Sequence, residues 1–161
     1  MTALLSLVFL KLFLQDEMKY LPSFEYLDGD NGAERDFAVF ASDFLRDGVD
    51  VIIGECKTAK ELEEKEKYDI NELGARTGAF LAIASLSDEF TKDDKAFFEA
   101  LITSGKKPIL LTRKHLEMSY VEILDYRRTK RWMGRDTELL SRLTIRDVLG
   151  SEFADNHKLW I

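Results

Sequence analysis

The 161-residue sequence contains one cysteine, two histidines and two prolines, and each shortage narrows what the chain can be. A single thiol, Cys56, excludes an intramolecular disulfide, and with only His115 and His157 beside it no zinc-site spacing can be assembled. A reducing, cytoplasmic setting is expected. Pro22 and Pro108 stand alone, and no low-complexity stretch, internal repeat or long linker divides the chain. One domain over residues 1–161 is expected, long enough to bury roughly 70% of the surface its unfolded chain exposes. The apolar run at residues 3–14, ALLSLVFLKLFL, falls short of the roughly 20 residues a spanning helix needs. It also lacks the positive start and small-residue cleavage site of a secretory signal. No membrane partner is expected.

Net positive charge is missing as well. The formal charge is −7, which argues against a protein whose affinity comes from phosphate contacts. The average hides a gradient. Residues 126–146 carry Arg127, Arg128, Lys130, Arg131, Arg135, Arg142 and Arg146 against Asp136 and Glu138, a net of 7 − 2 = +5 that leaves −12 for everything else. This basic C-terminal extension, residues 126–161, offers Arg127, Arg128, Lys130 and Arg131 as candidate phosphate contacts. A basic helix face in water is the alternative.

The apolar run near the start is interrupted only by Ser6 and Lys11. A helix apolar on every side is buried on every side. Residues 1–18 are therefore expected to form a core helix that also meets something beyond this domain, in a homo-oligomer or in a longer chain.

Strand signals follow. Residues 20–27 read as a first strand with Pro22 near its beginning, DGDNG at 28–32 as a turn, and residues 34–40 as a second strand. Alternation puts Glu34, Asp36, Ala38 and Phe40 on one side of that strand and Arg35, Phe37 and Val39 on the other. A third strand begins at Val49 and ends in Glu55-Cys56-Lys57, and it can pair with the second as an antiparallel hairpin. Residues 59–75 read as a charged, then amphipathic helix, and 79–84 as a strand. A helix over 91–104 starts at Thr91 and stops at Gly105, a strand spans 108–112, and another helix begins at Lys114. Strands alternating with helices in the second half point to an α/β sandwich whose later strands run parallel.

Glu55 and Lys57 leave the same face of their strand. A carboxylate, any residue and then lysine also occurs at Glu17-Met18-Lys19, Glu63-Glu64-Lys65 and Asp93-Asp94-Lys95. Only the copy at Glu55 ends an apolar, β-branched run. The others sit in polar stretches where charge is ordinary surface. An aspartate among apolar neighbours, as at Asp36, is uncommon in a core strand.

The arrangement of ERD at 34–36, IIGECK at 52–57, the strands AFLAIA and PILLT, and the run LTRKHLE resembles the PD-(D/E)XK nuclease superfamily. The similarity spans a core of about residues 20–117. It implies a restriction-endonuclease-like fold, a three-layer α/β/α sandwich with a central mixed sheet and core order αβββαβ followed by a further αβ unit. It also implies a Mg²⁺ ion, with Mn²⁺ as a substitute, held by Asp36, Glu55 and the Cys56 carbonyl, with Glu34 as a further candidate ligand. Lys57 would orient or deprotonate the attacking water. The implied activity is hydrolysis of DNA phosphodiester bonds by in-line attack of a magnesium-bound water, leaving a 5′-phosphate, in an endonuclease module of a larger or oligomeric assembly. No proline precedes Asp36 as in many members, and no Gln-x-x-x-Tyr follows on the next helix.

Elementary electrostatics points the same way. Two carboxylates about 4 Å apart repel by roughly 4 kcal/mol at an effective dielectric near 20. One lysine cannot relieve both, so Asp36, Glu55 and Lys57 stay net −1 and should recruit a cation, for which oxygen-only ligands favour Mg²⁺ or Mn²⁺. Alternatives stay open for each residue. Glu55 with Lys57 can be an ion pair at a sheet end, Asp36 can cap a turn or pair with Arg35, and Cys56 can be a small core residue. His115 can bond locally, and the whole chain can be a catalytically inactive nucleic-acid-binding or assembly module with the same fold.

Overall fold

Alternation of side chains sets up the first half of the sheet. The computed structural model describes residues 1–14, 17–28, 31–42, 48–58, 61–128 and 134–155. Strands β1 (Glu17–Asp28), β2 (Asn31–Ser42) and β3 (Val49–Lys57) pair antiparallel in succession. Phe37, Val39, Ala41 and Ile52 join one core cluster, and Ile53 joins another. Two fully buried strands, β4 (Phe80–Ser85) and β5 (Pro108–Leu111), extend the sheet parallel to β3 in the order β1-β2-β3-β4-β5. Parallel neighbours need crossovers. These are α2 (Glu64–Thr77), which Gly78 stops in the left-handed region at φ 65°, and α3 (Lys92–Thr103), capped by Thr91 as the sequence predicts.

Helices cover both faces of this mixed sheet. Ile70 of α2 and Phe98, Leu101 and Ile102 of α3 pack on Leu81, Ile83 and Leu110. On the opposite face lie α1 (Thr2–Leu14), α4 (Arg113–Leu116) and α5 (Tyr120–Arg127), whose Phe9, Phe13, Leu116 and Ile123 meet Phe37, Ile52, Ala82 and Ile109. Helix α1 is a core helix along part of its circumference, as expected, and leaves another part open. Ser6, Phe9, Leu10, Phe13 and Leu14 are buried, whereas Leu4 is 62% and Val8 49% exposed. No helix among the described residues is long and apolar enough to cross a membrane.

The C-terminal extension differs from its sequence reading. Its residues include α6 (Asp136–Leu149) and α7 (Ser151–Ala154), and α6 is part of the core. Leu139, Leu140 and Leu143 join the α1 side and Ile145 the α3 side. Helix α6 runs along the outer edge of β5 and bonds it through side chains. Leu110 N–H donates to Thr144 Oγ1 at 3.1 Å, and Ser141 Oγ donates to the Pro108 carbonyl at 2.6 Å. An open strand edge leaves a row of unpaired backbone groups; here two hydroxyls take up part of that row. At the other edge, β1 carries Pro22, which lacks an N–H, beside Ser23 at φ 41°, an irregularity that breaks the edge.

Near the middle of the sheet the backbone of β3 comes close to a ring. Phe37 pairs with Gly54, and a Cβ on Gly54 would lie 2.1 Å from Phe37 Cζ. Phe37 is fully buried, so the ring has nowhere to go. Gly54→Ala is therefore expected to lower stability by about 1–3 kcal/mol through overpacking, read from urea denaturation. Thr144→Val leaves the buried Leu110 N–H without its acceptor and is expected to cost a further, separable 1–3 kcal/mol or so in the same measurement.

Candidate active site

The ladder between β2 and β3 ends at the pair Phe37–Gly54. Beyond it, β2 continues with β1 alone, and the pairs Pro22–Phe37 and Phe24–Arg35 flank Ser23 with its positive φ. Arg35 and Asp36 thus lie just past the point where β3 loses β2 as a backbone partner. Backbone donors must still be satisfied. Asp36 Oδ2 accepts the Cys56 N–H at 2.6 Å, a side chain serving where the ladder has stopped. Meanwhile β3 stays paired to β4 through Lys57, opposite Ser85. The site therefore sits at the carboxyl ends of parallel strands, where the sheet changes from antiparallel to parallel pairing.

Asp36 and Glu55 are brought into mutual range there. Burial, followed by the neighbouring Asp36 carboxylate, pushes the Glu55 carboxyl up to about 7, although Arg35 and Lys57 both oppose the shift. Glu55 does not pair with Lys57 directly. Its Oε2 lies 3.4 Å from Arg35 Nη1, and Lys57 Nζ pairs with Glu66 of α2. Arg35 Nη1 also donates to the Glu34 carbonyl at 2.7 Å, and its Nη2 lies 3.8 Å from Asp69 of α2. Arg35 as a whole is only 5% exposed, and its Nε is buried with no hydrogen-bond partner.

Three of these residues escaped the sequence reading. Simple alternation groups Arg35 with Phe37 and Val39, which sit in the α1-side core, yet its guanidinium reaches Glu55 and α2. A long side chain at an irregular strand position can cross where a short one cannot. Glu66 and Asp69 fall in a helix whose charges read as solvated pairs. That reading fits Lys67 with Glu64 and Arg76 with Glu72, at spacings of three and four. It fails for Glu66, whose Oε2 accepts the Glu63 N–H at 2.7 Å while Oε1 holds Lys57. An acid three residues into the helix, on the side of an inward-facing lysine, was the available signal.

Other candidates are placed differently. The exposed Glu34 side chain accepts from Ser23 Oγ at 3.0 Å, and only its backbone carbonyl meets the cluster. Burial, and then Asp36, pushes the Cys56 thiol up to about 12, and Sγ lies 3.8 Å from Ser6 Oγ, so it is an unreactive thiol under α1. His115 is buried, its Nδ1 accepting the Thr112 N–H at 3.1 Å and its Nε2 3.4 Å from Asp147 Oδ2. It caps α4. Arg127 pairs with Asp136 and lies over the Phe13 ring, and Arg128 is 3.9 Å from Asp125. Lys130 and Arg131 lie outside the described residues.

Does a hard divalent cation suit this donor set? Among the described residues no three or more His, Cys, Asp and Glu side chains are already arranged around one point. The charge balance nevertheless favours one. Asp36, Glu55, Glu66 and Asp69 face Arg35 and Lys57, so when all are ionised the cluster carries −4 + 2 = −2. Burial first, and the Asp36 charge after it, raises the Glu55 carboxyl within this cluster. Oxygen donors and a surplus of negative charge fit Mg²⁺ or Mn²⁺.

Because the folded-state pKa of Glu55 lies above its ordinary 4.5, folding takes up a proton between about pH 4.5 and about pH 7, and stability falls as pH rises through that window. Over the whole window the effect is on the order of 3 kcal/mol. Urea titrations of the parent and of Glu55→Gln across this range are expected to show the parent losing stability more steeply; parallel profiles would contradict the environment described here.

No protein-family model and no curated protein matches the chain. A solved structure of the MspJI restriction endonuclease in complex with a 27-mer oligonucleotide aligns with it at a TM-score of 0.43 and 12% identity, over 97% of this chain and 30% of that one. This chain spans less than a third of that protein's length. What the chain shows is an α/β fold, a mixed five-stranded sheet with helices on both faces.

Proposed function

We propose that the chain is a Mg²⁺-dependent nuclease of the PD-(D/E)XK type that hydrolyses phosphodiester bonds of DNA, an endonuclease module of a larger or oligomeric assembly. One observation carries this reading: Asp36, whose Oδ2 accepts the Cys56 N–H at 2.6 Å, stands beside the end of β3, where the neighbouring Glu55 feels its charge and Lys57 follows two residues on. Asp36, Glu55 and the Cys56 carbonyl would hold the cation. When bound, Mg²⁺ supplies an acidified water and neutralises charge on a phosphoryl oxygen. Lys57, its ammonium paired with Glu66, would donate to a non-bridging phosphate oxygen or orient the attacking water. With Arg127 engaged by Asp136, the nucleic-acid backbone would rely on Arg128, Lys130 and Arg131. The exposed Leu4 and Val8 of α1 are where a second copy or another part of a longer chain would dock.

A second reading has its own support. Glu55 is already paired with Arg35 and Lys57 with Glu66, so the four can serve as structural ion pairs in a nucleic-acid-binding or assembly module without turnover. Cleavage of labelled single-stranded, duplex and branched DNA in Mg²⁺ and in Mn²⁺ separates the two. The parent is expected to cut, and Lys57→Ala and Glu55→Ala to lose about 100-fold or more while remaining folded. Binding without cleavage by the parent, or equal cutting by all three, would favour the second reading.

A further inference from the structure

The side of α1 that the domain leaves open is regular. Met1, Leu4 and Val8 are 89%, 62% and 49% exposed, and the exposed Lys11 continues the row. Spacings of three and four keep all of them on one side of the helix. Lys11 is the only charge between Thr2 and Leu14. On the opposite face of the sheet, a groove of about 580 Å³ runs between α2 and α3. Ala96 and Ala100, both exposed, line it together with the half-buried Phe97 and the exposed Tyr68. The two helices cross over between parallel strands and so begin at the same end. Glu64 and Asp93, from their first turns, make that end acidic, and Lys67 there is taken up by Glu64 at 3.1 Å and Asp94 at 4.0 Å. The far end reaches Ser104, which accepts from Lys106 at 3.0 Å.

Row and groove agree in length and in the order of their chemistry. Met1 to Lys11 and Asp93 to Ser104 span about 15 Å and about 16.5 Å at 1.5 Å per residue. Laid antiparallel to α3, a copy of α1 brings Lys11 to Asp93 and Glu64, Val8 to Ala96, Leu4 to Ala100 and Met1 to Ser104. Large side chains then meet small ones at the same four-residue spacing on both helices, as in ridge-into-groove packing. The antiparallel direction also sets opposite dipole ends side by side. A chain cannot make this contact with itself, since its own α1 lies across the sheet from its groove.

We infer that α1 of one copy seats in the groove between α2 and α3 of the next, so that the chain assembles head to tail. The inference takes up the oligomeric assembly of the proposed function and rests on no metal or cleavage step. Each copy offers one row and one groove, so a pair leaves one of each unfilled and growth continues beyond the dimer.

Sedimentation velocity of the full chain over a range of concentrations is the test. The parent is expected to pass from monomer to species larger than a dimer. Leu4→Glu puts a charge into the row and Ala100→Arg obstructs the groove. Both are exposed helical positions where such changes leave folding intact. Each variant alone is expected to lose all association. Their equimolar mixture is expected to give dimers and nothing larger, because the intact groove of the first variant accepts the intact row of the second. Val8→Glu with Ala96→Arg repeats the comparison at separate positions. A parent that stays monomeric or stops at a dimer would overturn the inference. So would an Ala100→Arg variant that associates like the parent, as it would if α1 paired with itself, or a mixture that remains monomeric. Neither nucleic acid nor metal enters these measurements, so a negative result leaves the nuclease reading standing.

Discussion

A carboxylate that water cannot fully solvate makes demands on everything near it. Glu55 sits at the end of β3 beside Asp36, and burial alone would favour its neutral form. The surroundings answer with two cations from different places, Arg35 from β2 and Lys57 from β3 itself. Each cation then requires an acid of its own, and α2 provides both, Asp69 and Glu66, one turn apart. The helix is thereby tied to the sheet by charge above and by Ile70 and Leu73 below. Where the ladder stops at Phe37–Gly54, Asp36 is released from a purely structural role and can face both Cys56 N–H and Glu55.

Much of this was legible in the sequence, for reasons that differ by element. The strands from β2 to β5 announce themselves by alternation or by short apolar runs, and Glu55 and Lys57 can be put on one face by counting in twos. Arg35 cannot. Its neighbours obey alternation, but the irregularity at Ser23 on the adjoining strand and the reach of a guanidinium carry it elsewhere. The pairing of Lys57 with Glu66 depends on how far α2 slides along the sheet, which local periodicity does not encode. Helix α6 is masked for another reason: residues 126–146 read as a block of charge, within which only Leu139, Leu140 and Leu143 recur at helical spacing and Ile145 faces another cluster.

Those charges also show why a block of like charge is a poor guide to surface potential. Arg127 meets Asp136, Arg135 reaches Asp50 of β3 at 2.6 Å, Arg142 reaches Asp155 at 3.0 Å, and Arg146 lies 3.4 Å from Asp147. Acids scattered through the sequence are gathered onto the arginines by folding. The Arg135–Asp50 pair in particular pins the entrance of α6 to the opening residues of β3, so the basic tract works partly as a fastener.

The side-chain bonding of α6 to β5 has a bearing on how the chain is made. A ribosome releases β5 some thirty residues before it releases Ser141 and Thr144, as their bonds to Pro108 and Leu110 span separations of 33 and 34 residues. During that interval the nascent polypeptide has all five strands in hand but nothing to shield its last backbone edge. The emerging protein is then most exposed to strand-to-strand sticking, and chaperone capture would matter most in the time it takes to synthesise those residues.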